Sequence, residues 1–219
     1  GQGHSDAPEG GAYSPGLLAE DAWELFGILG IARPWLLGLS NGSNISLELL
    51  AAHPGAFPGA VLTSSAPCMD FSTRLRILHW IQCLRLGGPL LQFDAAAPDL
   101  WGDRFLEARH GVMRAFREAR AELDAAGFEG ALQQMEGLLD WDIRERLGGV
   151  EAPVLFLTGA EDPLTPPWKC LETARRVSGS RFEVIPGVGH SLPLEAPKVF
   201  TSRILEFIGL PADTSINRS

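Results

Sequence analysis

Trp35-Leu36-Leu37-Gly38-Leu39-Ser40-Asn41-Gly42-Ser43-Asn44 is the stretch on which the fold of this chain turns. Trp35–Leu39 is a short apolar run, as expected of a strand buried on both faces in a parallel sheet. Residues 43–53 read as a helix ending near His53-Pro54. Between them sits a G-x-S-x-G pentapeptide, Gly38 to Gly42. A serine at a sharp strand-to-helix turn takes strained backbone angles and projects its hydroxyl out of the sheet. Small residues two positions either side leave room for that turn. The helix then directs its first N–H groups at negative charge developing beside the serine. The pentapeptide alone is common by chance. Its position between strand and helix favours a nucleophile over a solvated serine in a glycine-rich turn.

Working outward, the same alternation continues. Ser14-Pro15 reads as an N-cap followed by proline at the first helical position, opening a helix that runs to about Gly30. Ala60–Thr63, Val154–Leu157 and Phe182–Ile185 are further buried strands. Residues 167–178 and 198–209 are the helices after the last two. Strand, helix, strand, helix is the pattern of an α/β fold with a parallel sheet of about four strands. From about Ala66 to Val150 the rhythm breaks. That stretch shows helical patterns at Leu75–Leu86, Phe105–Ala126 and Ala131–Leu147, with its own apolar supply. It reads as a helical lid, residues 67–150, inserted into a core formed by 1–66 and 151–219. A separate small helical domain is the alternative.

Composition excludes several classes. Hydrophobic residues are 45% and charged residues 21%, which argues against disorder or coiled coil. No apolar run is long enough for a membrane helix, and no charged-then-apolar leader opens the chain. Lys and Arg number 18 against 27 Asp and Glu, a net charge of -9, which argues against a nucleic-acid partner. Cys68, Cys83 and Cys170 form no CxxC. They point to no disulfide framework or zinc site, and to a reducing, cytoplasmic compartment. Gly1-x-Gly3 follows no strand, so it is no dinucleotide fingerprint. Nothing resembles a P-loop or metal cluster, and no cofactor is expected.

A serine nucleophile needs a base and an acid that orients it. His190, in Gly187-Val188-Gly189-His190-Ser191, follows the fourth strand, and Asp162, in Gly159-Ala160-Glu161-Asp162-Pro163, follows the third. Both therefore sit at the carboxyl ends of strands, on the edge where Ser40 lies and where open α/β sheets bind ligands. The chain order Ser40, Asp162, His190 fits such a fold. Among rival histidines, His4 is in the first loop, His53 ends a helix, and His79 and His110 fall in the lid. Among rival acids are Glu161, Asp140 and Asp142, with Asp70, soon after the second strand, the serious alternative. The backbone N–H of Asn41 is the candidate oxyanion donor. Trp101 and Trp141, in the lid, are candidate pocket walls, although core packing is the default for tryptophan.

Gly38–Gly42, Gly159–Pro163 and Pro186–His190 resemble the elbow, acid loop and histidine loop of the α/β-hydrolase superfamily. The resemblance is to the lid-bearing branch with 3-oxoadipate enol-lactonase-like enzymes, related esterases and C–C hydrolases. Gly1-Gln2-Gly3-His4-Ser5-Asp6 resembles the end of that family's D-x-R-G-x-G-x-S segment. The likeness runs along the whole chain, weakest in the lid. Asn41 and Ser43 stand where many relatives carry Met or Gln, and Gly. Counterparts of the family's first four strands and of its His-Gly oxyanion loop are missing. The resemblance thus implies the C-terminal part of a longer hydrolase, poorly soluble and nearly inactive alone.

The resulting expectation is a serine hydrolase acting on a small ester or lactone, with thioester, amide or C–C hydrolysis open to the same residues. The alternative is a protein that keeps the fold for binding without turnover. Oligomeric state is not legible.

Overall fold

A computed structural model describes residues 5–6, 11, 13–121 and 125–210. Gly1 to His4 and residues 122–124, which fall on the opening motif and inside the expected helix Phe105–Ala126, lie outside the described residues. Helix α1 (Pro15–Ile28) starts where Ser14 Oγ accepts the Leu17 N–H, with Pro15 at its first position. Then follow β1 (Leu36–Leu39), α2 (Asn41–Ala52) and β2 (Ala60–Thr63). Four helices come next: α3 (Phe71–Leu100), α4 (Asp103–Ala108), α5 (His110–Ala121) and α6 (Ala125–Leu138). The chain ends with β3 (Val154–Gly159), α7 (Pro167–Arg176), β4 (Arg181–Ile185), the single turn α8 (Leu192–Glu195) and α9 (Pro197–Ile208).

Among the described residues the four strands form one parallel sheet in the order β1-β2-β3-β4. Successive side chains point to opposite faces, and the two faces feed separate cores. Leu36, Ala60, Leu62, Val154 and Phe156 pack with Leu47 and Leu50 of α2 and Cys170 and Ala174 of α7. Val61, Leu155, Leu157 and Ile185 pack on the other face against Phe200, Ile204 and Phe207 of α9. Leu37 is in register with Val61 and so shares the α9 face, yet it is 57% exposed. Among the described residues, α9 reaches this end of the sheet through Phe207 against Trp35 and leaves Leu37 open.

The helical stretch departs from its expected boundaries throughout, and the helix expected over Phe105–Ala126 is broken at Arg109 into α4 and α5. α3 is two arms that meet at Gly88, whose φ of 73° is in the region that favours glycine, followed by Pro89, which lacks an N–H to continue the ladder. The third helix was expected over Ala131–Leu147 but lies at Ala125–Leu138. Tertiary pairing overrides its C-terminal part. Met69 N–H donates to Trp141 O and Ile143 N–H to Pro67 O, so 67–69 and 141–143 run side by side in opposite directions. The two ends of the α3–α6 segment are thereby tied together.

Candidate active site

Ser40 stands between β1 and α2 with φ 54° and ψ −116°, the strained turn that the pentapeptide implies. Its N–H donates to Thr63 O at 2.9 Å, fixing the turn to the neighbouring strand. Ser43 Oγ donates to the same carbonyl at 2.8 Å. The two elbow glycines are not equivalent. A Cβ on Gly38 would come within 2.6 Å of the Gly42 carbonyl oxygen, so nothing larger fits there without moving backbone. A Cβ on Gly42 would meet no described atom within 4 Å. Only the first glycine is needed for space, which corrects the symmetric reading of the motif.

Asp162 and His190 meet. His190 Nδ1 is 2.9 Å from Asp162 Oδ2 and 3.1 Å from Oδ1, with both side chains buried. The carboxylate is held from the other side as well. Oδ1 accepts the Leu164 and Thr165 N–H groups at 3.0 and 2.8 Å, and Oδ2 accepts Thr165 Oγ1 at 2.8 Å. Burial pushes the Asp162 pKa up, but attraction to His190 and the hydrogen bonds from His190 and Thr165 outweigh it, and the carboxyl is held below its ordinary value. His190 Nε2 is buried and has no hydrogen-bond partner among the described residues. No Ser40 Oγ–His190 Nε2 hydrogen bond is formed. In sites without substrate such bonds are often long and tighten on binding.

The histidine loop is pinned at several points. Glu195 accepts the Gly189 N–H at 2.7 Å and the Ser191 N–H at 3.0 Å, the two residues flanking His190, and also the Gly102 N–H at 3.1 Å. Ser64, at the end of β2, donates its Oγ to His190 O at 2.8 Å. Ser191 Oγ donates to Leu100 O at 2.7 Å. A Cβ on Gly189 would come within 2.2 Å of Gly102 N, so the loop lies directly against the α3–α4 junction.

The rivals are engaged elsewhere. Asp70 caps α3 through Thr73 N–H and takes the Lys169 ammonium at 2.9 Å. Lys169 is 3% exposed and donates also to Ser72 Oγ, Thr73 Oγ1 and Leu164 O. Glu161 faces Arg104, Asp140 pairs with Arg74 and Asp142 with Arg144. His53 stacks on Trp23, His79 lies against Cys83, and His110 Nδ1 is bonded to Glu107 O. His4 is outside the described residues.

Ser40 opens onto a cavity of about 220 Å³. Its floor carries Ser40, Asn41, Asn44, Ser64 and Thr165. Its roof comes from Ile77, Trp80 and Gln92 of α3, Arg120 of α5 and Met135 of α6. Asn41, singled out in the sequence for its backbone N–H, lines this cavity, and both its side-chain amide atoms are buried and without partners among the described residues. Neither tryptophan expected to wall this cavity does so. Trp141 belongs to the core beneath α2, its indole N–H donating to Glu48 Oε1 at 2.8 Å, because the strand-like pairing of 141–143 turns it inward. Trp101 packs between Phe93 and Phe116 in a second, mainly apolar cavity of about 400 Å³. Trp80 is the tryptophan at the Ser40 cavity. Thr165, Ser64, Glu195 and Arg120 were not singled out in the sequence. Only Thr165 had a local signal, a hydroxyl three residues after an aspartate in a turn.

The alpha/beta hydrolase fold family matches residues 1–197. The protein named carbamate hydrolase RutD in Cronobacter turicensis is 27% identical over 94% of this chain and 76% of its own length. RutD of Agrobacterium fabrum is 24% identical over 97% of this chain and 80% of its own. The crystal structure of MGS-M2, an alpha/beta hydrolase from a deep-sea metagenome library, superimposes with a TM-score of 0.90 at 23% identity, covering 96% of this chain and 77% of that one. The enol-lactonase of Burkholderia xenovorans gives 0.82 at 24% identity, covering 95% and 77%. With a parallel sheet, a strained serine at the strand-to-helix turn and the family match along most of its length, this chain belongs to the alpha/beta hydrolase fold family.

Proposed function

We propose that this protein is a serine hydrolase that cleaves a small carboxylic ester or lactone, with Ser40 as nucleophile, His190 as general base and Asp162 as the acid that orients it. The observation that carries the reading is the buried His190–Asp162 pair on the same sheet edge as a strained Ser40 that opens onto a cavity. With Nδ1–H donated to Asp162, the His190 lone pair is on Nε2, the nitrogen without a partner. Nε2 takes the Ser40 proton as Oγ bonds to the carbonyl carbon. The negative charge on the carbonyl oxygen meets the Asn41 N–H at the start of α2. The protonated imidazole then gives its proton to the leaving oxygen as the acyl bond breaks. Water, deprotonated by His190, attacks the acyl-enzyme carbonyl, and His190 returns that proton to Ser40 Oγ as the acyl bond breaks and the acid leaves. Helices α3–α6 act as the lid over residues 1–66 and 151–219, limiting water at the reacting carbonyl.

A carbamate is the second reading, favoured by the names of the relatives. Its carbonyl is open to the same attack, and the unpartnered Asn41 amide could take its nitrogen. The test is a fluorophosphonate probe followed by peptide mapping, with an ester, lactone and carbamate panel run alongside. Labelling at Ser40, absent in Ser40→Ala and in heat-unfolded protein, is expected. Ligand binding with no labelling at Ser40 would return the protein to the non-catalytic class.

A further inference from the structure

Arg120 differs from the other arginines around it. Arg74, Arg117, Arg144 and Arg203 each pair with a carboxylate near the surface. Arg120, in the last turn of α5, is half-buried and lines the Ser40 cavity. Its one hydrogen-bond partner among the described residues is a neutral group, Gln92 Oε1, at 3.0 Å. Gln92 is itself 7% exposed and lines the same cavity. No Asp or Glu among the described residues lines that cavity.

A guanidinium taken out of water without a counter-charge is costly, and burial pulls the Arg120 pKa down with nothing among the described residues to oppose it. A guanidinium carries several N–H donors in a planar fork suited to a carboxylate. The bond to Gln92 uses one donor and orients the rest. Ile77, Trp80, Leu100 and Met135 supply apolar wall beside the polar Thr73, Asn44 and Gln134, so a charge–charge contact there is screened less than at the open surface. Arg120, Gln92 and Leu100 also border the second cavity with Phe93, Trp101 and Phe116.

We propose that the Ser40 cavity takes an acyl substrate bearing a second, free carboxylate, which the Arg120 guanidinium binds while Gln92 holds it in place. This rests on the hydrolase reading of the cavity and adds the substrate's charge to it. The carboxylate would anchor one end of the molecule on the roof while its ester carbonyl meets Ser40 on the floor. Binding energy remote from the reacting carbonyl would thus serve orientation.

Two measurements test this. The first compares ester pairs by pH-stat titration, each matched in size and shape: monomethyl succinate with methyl 4-methylpentanoate, and monomethyl glutarate with methyl 5-methylhexanoate. The protein is expected to prefer the carboxylate member by about 10- to 100-fold in kcat/KM, the range of a charge-assisted hydrogen bond. In Arg120→Gln that ratio should collapse toward one, mainly through KM, and Arg120→Lys should restore part of it. The second measurement needs no turnover: calorimetric binding of glutarate to Ser40→Ala, expected to be lost when Arg120→Gln is added. Equal kcat/KM within the pairs, or glutarate binding that Arg120→Gln leaves intact, overturns the proposal. Failure of every ester with Arg120-dependent glutarate binding retained instead overturns the hydrolase reading and leaves the anion site standing.

Discussion

Exchanging one oxygen for nitrogen in two different aspartates should separate catalysis from stability. Asp162→Asn keeps an oxygen for the Leu164 and Thr165 N–H groups, so the loop retains its backbone anchors. At the Oδ2 position an NH2 group now faces His190 Nδ1, a contact of 2.9 Å with a donor on each side. The imidazole relieves this by moving its proton to Nε2, the nitrogen that must accept from Ser40. Loss of the correct tautomer costs about 10⁴-fold in kcat in the serine-protease precedent, or about 5 kcal/mol of activation free energy. Asp70→Asn acts on another contact. Lys169 is almost fully buried and loses the only carboxylate it touches among the described residues, while Ser72, Thr73 and Leu164 O remain. The expected cost is about 1–3 kcal/mol of stability, which lowers Tm by about 2–12 °C in a chain of this size.

The assay is a Tm by circular dichroism and a kcat on the preferred ester for each variant. Asp162→Asn should fall in kcat by several orders of magnitude with a small change in Tm. Asp70→Asn should drop in Tm with turnover per folded molecule close to wild type. A folded Asp70→Asn that has lost turnover, beside an Asp162→Asn that keeps it, would mean that His190 takes its acid from Asp70 in the working protein.

Glu195→Ala removes the acceptor shared by the Gly189, Ser191 and Gly102 N–H groups. It should lower kcat by about 10- to 100-fold without touching substrate, and unchanged kcat in a folded variant would show that Ser64 and Ser191 suffice to hold the loop. Gly38→Ala should destabilise by about 1–3 kcal/mol through overpacking, whereas Gly42→Ala, in open space at a helical position, should be neutral or stabilising; equal Tm values for the two would sink the steric argument. Asp162, Asp70, Asp94 and Asp142 all have carboxyls held below their ordinary value in the folded state. Their stabilisation is therefore complete above the usual carboxylate range near pH 4 and is lost as pH falls through the lower folded values. Tm should decline between about pH 5 and pH 3, and a flat profile would refute this.

The sheet was legible because each strand announces itself locally. Ala60–Thr63 and Val154–Leu157 are apolar on both faces because α2 and α7 cover one side and α9 the other. Trp35 extended the first expected strand by one residue that the ladder does not include. The helical segment was less legible because its boundaries depend on partners far away in sequence. Nothing near Trp141 says that Pro67–Met69 will pair with it, and that pairing ends α6 early and sends the indole to Glu48. Trp101 missed for a related reason: the α3–α4 junction is pressed onto Gly189, so its side chain falls among Phe93 and Phe116 rather than above Ser40.

At the candidate site, legibility follows how far a residue's role depends on its own sequence neighbours. Ser40, Asp162 and His190 each occupy a loop that directly follows a strand, and parallel strands carry all such loops to one edge. Their place on one sheet edge thus follows from topology, and the Asp162–His190 contact is the part of the set that the structure closes. Arg120 and Gln92 depend on where the α3–α6 segment settles over that edge, which no periodicity encodes. Arg120 illustrates the loss most clearly. In sequence it is one of three arginines on an amphipathic helix. Only placement shows that Arg117, one turn earlier, finds Asp94 at the surface while Arg120 turns into the cavity and finds an amide. On the proposed reading, the nucleophile's chemistry is written in short motifs common to a large family, whereas substrate selection would reside in the packing of the roof. That division matches the physics of the two tasks. Attack on a carbonyl needs a few atoms fixed by strand ends, whereas selecting a charged acyl chain, as proposed above, would rest on a guanidinium that meets no carboxylate among the described residues.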